Sequence, residues 1–506
     1  MSKIRPSIWF FICWFALQTA LGQWNFIANP PEGMHQGAQA DRACVAWNYH
    51  HESMNFFEPR VSENRNAEGV AGMEFPVINY TAGVFFKFFG FQNLWYRLLV
   101  FFIVTLGIFA AWAITGFFIQ KNLHRITLVF GWYLSPILVF YSANFIPDPV
   151  AMSFCMMGWY YFLRFYFNIH VKASLSAYMV FATLAGLIKI TFLISHFALF
   201  FLFIFYRYRP AFFPLGFPKI KHFFLWFLAP FLPVLGWYYY ANYLTLKTNN
   251  LHFLQQINPA QSWSIFKENS RYSINTWQDS IYAPGHIYII LGILLICLFF
   301  RWKQAPIPGL ITVMLFIGFL TSFVLFNNQY RYHDYYYILL FPSLFFGMIF
   351  LQQVFLEQKN VLLGFIPIMY FIGFFYLPIT GYSHSKNMLA ERHRQGSYYC
   401  QEVFTGIQQY PEFQQKIKSL IPEKAEVISV FDPSPNTSLY FLQKRGIRIA
   451  QDFSPELARD IIRHSRIQYM VLNDSLLWES KYQKVVNVEK ELLYRKGILS
   501  LWKLKY

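Results

Sequence analysis

The sequence predicts an all-α polytopic membrane bundle of about 11 transmembrane helices, followed by a small external α/β domain. Three observations support this fold class. The 506 residues are 56% apolar and 22% aromatic, with only 13% charged, which is too apolar for a soluble protein of this length. Long apolar segments recur up to about residue 380. The residues after that point are more polar and contain short strand-like runs.

Eleven apolar segments are candidate spans, including short ones that neighbouring helices would bury. They lie at residues 7–23, 93–119, 125–142, 149–168, 174–189, 191–207, 222–241, 286–301, 308–326, 335–356 and 360–379. Because Lys3 and Arg5 precede the first segment, a cleaved signal peptide is an alternative interpretation of residues 1–22. No small-x-small cleavage site follows cleanly, so we interpret this segment as an uncleaved first span.

The charges between the spans indicate one orientation. With a cytoplasmic N-terminus, basic residues fall in the short cytoplasmic segments, as the positive-inside rule requires. Twelve of the 25 acidic residues precede position 380, and of these only Glu357 falls on the cytoplasmic side. We therefore expect a multi-pass protein of the inner (plasma) membrane with an external, periplasmic C-terminal region. The net charge of +17 is then explained by topology and anionic lipids, and nucleic acid is not an expected partner.

The predicted transmembrane module covers residues 1–380, and the predicted external α/β domain covers residues 381–506. Ser454, followed by a proline, is typical of a helix start. Gly446 and Gly497 indicate turns. The strand-like runs include residues 427–431 and 469–472. Cys44 and Cys400 both fall on the predicted external side, so a disulfide between them is one possibility that spacing leaves open.

The first external loop, residues 24–92, is long and contains a second apolar pattern. Residues 76–89 (PVINYTAGVFFKFF) are apolar at helical spacing but too short to span, which predicts an interfacial helix ended by Gly90. Asp41 lies earlier in the loop. A carboxylate partly removed from water is suited to act as a base. The alternative is that Asp41 pairs with Arg42 or caps a helix.

Two further charged residues fall at predicted external ends of spans. Asp148 lies in a short loop between two prolines, which disfavour helix before them and hold the chain extended. It is a candidate site residue or simply the N-cap of the next span, with Pro149 at the first helical position. Lys189 lies in the apolar run AGLIKITFL, where an ionisable residue is by default a candidate site. Its alternative role is to reach the interface with its charged end.

The segment NNQYRYHDYYYILLFP supplies another polar cluster at an external helix start. Arg331 and His333 are cationic donors suited to a phosphate. Tyr335 and Tyr336 fit either a binding site or an aromatic belt at the interface. Arg271, in the preceding external loop, is a further cationic candidate.

The order and sidedness of these features resemble the GT-C glycosyltransferases. The resemblance is specifically to bacterial relatives of protein O-mannosyltransferases (glycosyltransferase family 39 type) and to the lipid A aminoarabinose transferase, and it covers residues 1–380. It implies transfer of a sugar from a polyprenyl-phosphate-linked donor to an external acceptor, which is a protein hydroxyl, lipid A or a glycan. Arg42 replaces the Glu of the O-mannosyltransferases, and Glu74-Phe75-Pro76 replaces a Lys-Pro-Pro. These departures leave sugar and acceptor open.

The resemblance also implies site roles. Asp41 is the catalytic carboxylate that deprotonates the acceptor, and the displacement inverts the anomeric carbon. Because polyprenyl phosphate is a good leaving group, the reaction needs a cationic cradle but no general acid. The expected phosphate-binding residues are Lys189, Arg331, His333 and Arg271. The residues expected to bind or support the substrate are Asp148, Glu74, Tyr335 and Tyr336.

A divalent cation held by Asp41, Asp148 and Glu74 is an alternative, as in the oligosaccharyltransferase branch of the superfamily. Because the DxD-like motif of the second loop is absent, we expect no metal and no other cofactor.

A polytopic transporter or lipid flippase is the alternative function. Such proteins commonly contain internal repeats and broken helices near the middle of the membrane. This sequence shows no repeat, and its candidate charges gather at one predicted face. The absence of a Gly-rich phosphate loop on the cytoplasmic side argues against a nucleotide-sugar donor. A purely structural membrane protein would leave the long first loop unexplained.

Overall fold

The computed structural model describes residues 6–65, 67–208, 210, 223–253, 256–356, 377–394, 411–430, 434–450, 453–473 and 488–505. The chain forms two compact units, each discontinuous in sequence. The first unit comprises Met1–Ala28, Arg97–Tyr238 and Gln256–Glu391, and the second comprises Asn29–Tyr96, Tyr239–Gln255 and Arg392–Tyr506. The long first loop thus groups with the C-terminal residues. The predicted division placed it with the membrane helices.

Helices dominate the described residues. They are α1 Pro6–Leu21, α2 Gln36–His51, α3 Val77–Phe89, α4 Asn93–Thr115, α5 Asn122–Tyr133, α6 Pro136–Tyr141, α7 Asp148–Tyr166, α8 Val171–Ile188, α9 Ile194–Tyr208, α10 Phe223–Leu228, α11 Phe231–Thr248, α12 Trp263–Ile281, α13 His286–Arg301, α14 Pro306–Leu325, α15 Asn327–Tyr332, α16 Phe341–Leu356, α17 Leu377–Arg394, α18 Pro411–Leu420, α19 Thr437–Leu442 and α20 Pro455–His464. The strands are β1 Val427–Val430, β2 Gly446–Ile449, β3 Tyr469–Asn473, β4 Lys490–Lys496 and β5 Leu499–Leu504.

Within the described residues, seven helical segments are long and apolar enough to cross a membrane. They are Asn93–Thr115, Val171–Ile188, Ile190–Tyr208, Phe224–Thr248, His286–Gln304, Pro306–Leu325 and Asp334–Phe355. The predicted first span is the 16-residue helix α1, and the predicted span at 149–168 is α7. The predicted span at 360–379 lies almost entirely outside the described residues. The predicted total of eleven spans therefore stays a prediction.

The predicted span at 125–142 is not one continuous helix. α5 ends at Tyr133, and α6 begins at Pro136. Ser135, immediately before the proline, is extended with φ −109° and ψ 129°. Proline lacks an N–H and disfavours helix in the preceding residue, so the prediction of a single helix was wrong at this point.

The region 242–284, interpreted from the sequence as a loop, contains the 19-residue helix α12. Ser262 caps it, because the Ser262 side chain accepts a hydrogen bond from the backbone N–H of Ile265 at 3.2 Å. Its buried residues lie three or four positions apart, so one face packs inward although the helix is polar on average. The weak apolar pattern explains why the sequence did not reveal this helix.

Buried aromatic side chains in the first unit carry hydrogen bonds between helices. The Trp14 indole donates to Thr105 Oγ1 at 3.2 Å, which joins α1 to α4. The Trp132 indole donates to the carbonyl of Phe341 at 2.9 Å, which joins α5 to α16. Because a buried polar group without a partner is costly, these bonds select one register between the helices.

A five-stranded mixed sheet lies in the second unit, in the order β2-β1-β3-β5-β4. β1 is parallel to β2 and β3, whereas β5 is antiparallel to β3 and β4. β4 and β5 form a hairpin at Gly497, which has φ 58°. The Ser454 hydroxyl caps α20 by accepting from the Leu457 N–H at 3.2 Å. These features confirm the strands predicted at 427–431 and 469–472, the helix start and the second turn; residue 431 lies outside the described residues.

Part of the first loop pairs with this sheet. Glu63 forms a parallel bridge with Gly446 in β2. The N–H of Asn64 donates to the carbonyl of Gly446 at 2.9 Å, and the N–H of Gly446 donates to the carbonyl of Ser62 at 3.1 Å. This pairing satisfies an edge of the sheet that would otherwise expose backbone groups.

The predicted helix at 76–89 is α3, and it ends at Gly90, where φ is 80°. α3 packs closely on α2 at Gly83. A Cβ at this position would lie 2.7 Å from Cβ of Tyr49 and 3.1 Å from the carbonyl oxygen of Ala46. Glycine thus allows the two helices of the first loop to approach each other. The interfacial location of α3 stays a prediction.

Candidate active site

Asp41 lies within α2 and is held by a residue from the distant end of the chain. Its Oδ1 accepts a hydrogen bond from Asn436 Nδ2 at 2.8 Å, across 395 positions of sequence. Asn436 is fully buried, and its own Oδ1 accepts from the backbone N–H of Glu63 at 2.9 Å. Both ends of the Asn436 amide are therefore engaged.

Burial raises the pKa of Asp41 above the ordinary aspartate value of 3.8. The hydrogen bond from Asn436 and the positive charges of His252, Arg42 and Arg448 oppose this effect without cancelling it. A carboxylate with a raised pKa is a stronger base than a solvated one. These properties suit proton abstraction.

Arg42 forms an ion pair with Glu74. Its Nε lies 3.0 Å from Oε1 of Glu74, and its Nη1 donates to the carbonyl of Ala38 at 3.1 Å. Its guanidinium also lies over the Phe253 ring, 5.5 Å from the centroid. Asp41 lies inside α2 and not at its N-cap, which is His35. The alternative that Asp41 caps this helix was therefore wrong, and its pairing with Arg42 stays a prediction.

Glu63 and His252 form a second buried pair in the same unit, which the sequence reasoning did not single out. His252 Nε2 lies 3.2 Å from Glu63 Oε2, and Arg65 Nε lies 3.5 Å from Glu63 Oε1. Isolated acidic and basic residues in long loops give no signal of such pairing. Glu63 forms a bridge to the sheet, and its backbone N–H donates to Asn436.

In the first unit, Lys189 and Asp148 form an ion pair. Lys189 Nζ lies 3.2 Å from Asp148 Oδ1 and 3.4 Å from Oδ2. Asp148 is the first residue of α7, and Pro147 occupies the N-cap position. The predicted N-cap role for Asp148 was therefore wrong. Lys189 follows α8 in an extended conformation, which releases its side chain from the helix.

Aromatic rings surround the Lys189 ammonium group. Nζ lies 4.2 Å from the centroid of Tyr336 and 5.5 Å from that of Tyr335, both within the range of cation–π attraction. His333 stacks on Tyr335, with centroids 5.2 Å apart. Asp334, which is buried, accepts a hydrogen bond from Tyr141 at 2.7 Å. The structure thus groups three of the predicted residues, Asp148, Tyr335 and Tyr336, around Lys189, and His333 stacks on Tyr335.

Arg331 and Arg271 are placed differently. Arg331 Nη1 donates to Glu268 Oε1 and to Asn269 Oδ1, each at 2.8 Å, so α12 holds this side chain. Its guanidinium also lies 5.0 Å from the centroid of Tyr272. Arg271 is an exposed residue of α12. Their predicted phosphate contacts stay predictions.

The described part of the chain contains no recognisable metal site. No group of three or more His, Cys, Asp or Glu side chains lies close enough to hold a metal ion in this part. Two of the three carboxylates considered for such a site, Asp148 and Glu74, are paired with Lys189 and Arg42. Cys400 lies outside the described residues, so its pairing with Cys44 has no structural account.

Two solved structures of one protein share this fold. ArnT from Cupriavidus metallidurans in the apo state matches 98% of this chain and 97% of its own length, with a TM-score of 0.64 and 11% identity. The same enzyme bound to undecaprenyl phosphate matches with a TM-score of 0.61 and 10% identity, over 98% of each chain. The chain therefore has the same fold as ArnT. This confirms the resemblance found in the sequence.

A more distant structure has the same fold. The oligosaccharyltransferase AglB from Archaeoglobus fulgidus, in complex with an inhibitory peptide and a dolichol-phosphate, matches 94% of this chain and 71% of its own length. Its TM-score is 0.52 and its identity 11%. No protein-family model and no curated protein matches the sequence. At these identities the comparisons establish the fold alone.

Proposed function

We propose that this protein is a membrane glycosyltransferase that transfers a sugar from a polyprenyl-phosphate-linked donor to a hydroxyl of an external acceptor. The observation that carries the proposal is Asp41, a base candidate with a raised pKa, held by a fully buried asparagine in a chain of GT-C fold. ArnT has been solved with undecaprenyl phosphate and AglB with a dolichol-phosphate, which supports this class of donor. A protein hydroxyl, lipid A and a glycan are the acceptor candidates.

The proposed reaction is a direct displacement. Asp41 takes the proton of the acceptor hydroxyl as its oxygen attacks the anomeric carbon. The bond from that carbon to the phosphate oxygen breaks, and polyprenyl phosphate leaves with the electron pair. The anomeric configuration is inverted. Because the leaving group is a stabilised phosphate anion, the reaction needs positive charge beside it and no proton donor.

Lys189 is the proposed binding group for the donor phosphate. Its ammonium lies among Tyr335, Tyr336 and His333, which present polar atoms and ring faces to the same region of the first unit. Asp148 orients the ammonium until the phosphate binds. Arg331 can bind the donor phosphate only if its hydrogen bond to Glu268 breaks. Arg271 of α12 is a further candidate for phosphate binding.

The proposed location is the inner (plasma) membrane, with the N-terminus in the cytoplasm and residues 381–506 outside. The positive-inside pattern of the sequence supports this orientation.

The test uses the full chain reconstituted with a membrane lipid extract that carries radiolabelled polyprenyl-phosphate-linked sugars. Asp41→Asn should abolish transfer, because an amide cannot accept the proton. Asp460→Asn is the matched control, since this exposed aspartate of α20 has no proposed role. Transfer by Asp41→Asn at the wild-type rate would reject the proposal. A product with retained anomeric configuration would reject the direct displacement.

A further inference from the structure

We infer that Asn436, supplied by the C-terminal α/β region, is a positioning residue for Asp41. It holds Oδ1 of the carboxylate and so directs Oδ2 toward the acceptor hydroxyl. This inference rests on the proposed function of Asp41. It assigns the C-terminal region a part in the reaction itself, which the sequence did not indicate.

The first support is the close packing of α2 against the turn that carries Asn436. Gly37 lies one helical turn before Asp41 and therefore on the same face of α2. A Cβ on Gly37 would lie 2.8 Å from Oγ and 3.0 Å from Cβ of Ser434, two residues before Asn436. The absence of a side chain at Gly37 lets the turn approach close enough for Asn436 to reach the carboxylate.

The second support is that the Asn436 amide has one orientation. Its Oδ1 accepts from the Glu63 N–H at 2.9 Å, while its Nδ2 donates to Asp41 at 2.8 Å. A flipped amide would place two oxygens against each other at Asp41 and would leave the Glu63 N–H without its acceptor. Since Asn436 is fully buried, water cannot replace either bond. The donor is therefore locked on Oδ1.

A locked donor affects both orientation and basicity. A carboxylate bound at one oxygen rotates less about its χ angles, and the ordering of a reactive group before the reaction contributes to its rate. The same hydrogen bond stabilises the ionised form of Asp41, as do the surrounding cations His252, Arg42 and Arg448. Loss of Asn436 should therefore make Asp41 harder to ionise and less well oriented.

The primary test titrates Asp41 without any substrate. The full-length protein in lipid nanodiscs is followed by infrared spectroscopy, and the Asp41 carboxyl band is assigned from the difference between wild type and Asp41→Asn. Asn436→Leu removes the donor, and the isosteric Asn436→Asp removes it and adds a negative charge. We expect the midpoint of Asp41 titration to rise by about one to two pH units in Asn436→Leu, and further in Asn436→Asp.

Asn48→Leu is the matched control. Asn48 is a buried asparagine of α2 whose Nδ2 donates to the carbonyl of Arg60 at 3.0 Å, and it has no bond to Asp41. Its replacement should lower thermal stability and leave the Asp41 midpoint at the wild-type value. A shift in the control equal to that in both Asn436 variants would show a general packing effect and overturn the inference.

Turnover with the same radiolabelled lipid extract separates this inference from the proposed function. If it is right, the acid limb of the rate profile moves to higher pH in both Asn436 variants, and the maximal rate falls while the KM for the donor stays constant. If both Asn436 variants had the wild-type Asp41 midpoint and the wild-type rate while Asp41→Asn was inactive, the inference would be overturned and the proposed function would stand. A shifted midpoint together with an active Asp41→Asn would overturn the proposed function and leave the positioning contact in place.

Discussion

Removal of one partner of the Asp148–Lys189 pair should destabilise the protein far more than removal of both. The two charges lie 3.2 Å apart, with side chains only 3% and 15% exposed. At that separation, their attraction is about 5 kcal/mol for an effective dielectric constant of roughly 20. Desolvation of both charges offsets much of this attraction, so the pair as a whole contributes little net stability.

The measurable quantity is the coupling between the two sites. Asp148→Asn and Lys189→Met should each cost about 3 kcal/mol of unfolding free energy, because each leaves a buried charge without its partner. The double variant should lie within about 1 kcal/mol of wild type, since no unpaired charge remains. Reversible denaturation in mixed micelles of the wild type, the two single variants and the double variant gives the coupling as a double-mutant cycle.

The exposed pair Arg459–Glu456 on α20 is the control for this cycle. Its atoms lie 3.5 Å apart, but the side chains are 37% and 72% exposed, so its coupling should be below about 0.5 kcal/mol. Additive single costs at Asp148 and Lys189, with a coupling as small as in the control, would refute the reasoning. An activity assay separates stability from function. The double variant should be stable, but it should not bind the donor because it lacks Lys189.

Three further predictions concern the second unit and the metal question. The raised pKa of Asp41 means that the folded state binds its proton more tightly than the unfolded state, so ionisation costs stability as pH rises through the folded pKa. Asp41→Asn should therefore melt at or above the wild-type temperature at pH 7 and lose this advantage below about pH 4; a lower melting temperature at pH 7 would contradict this. Sugar transfer should persist in excess chelator, because Lys189 and Arg42 already neutralise the carboxylates of Asp148 and Glu74. Loss of transfer in chelator that a divalent cation restores would show a metal site. Gly33→Ala should cost more than about 1 kcal/mol, since Gly33 has φ 69° and its Cβ would lie 2.0 Å from the carbonyl oxygen of Arg392. Gly292→Ala, in open space on α13, should cost nothing in the same thermal assay.

Local pattern predicted several elements correctly. The helix α3, the strands β1 and β3 and the Ser454 cap follow from residue spacing within a short window, because a helix or strand buries one face at a fixed period. The same reasoning failed for α12. Its inward face includes Asn269 and Ser273, and polar residues that pack through hydrogen bonds leave no apolar period to detect.

The candidate site was only partly visible in the sequence. Asp41, Asp148 and Lys189 were identified singly, because charged residues beside apolar segments are unusual and costly. Two contacts of this region were not predicted: Arg42 contacts Glu74, and Asp148 contacts Lys189. Asn436 carried no signal at all, since an asparagine in a soluble region is ordinary until its contacts are known.

The sequence by itself determined a protein rich in membrane-type helices with an α/β region at its end. Apolar content and periodicity are properties of segments of about 20 residues or fewer, so they can be recognised in the sequence without a structure. Only the tertiary structure decided that Asn436 holds Asp41 across 395 positions and that the first loop pairs with the C-terminal sheet. Hydrogen bonds and ion pairs require approach within about 3 to 4 Å, and distance along the chain does not encode that approach.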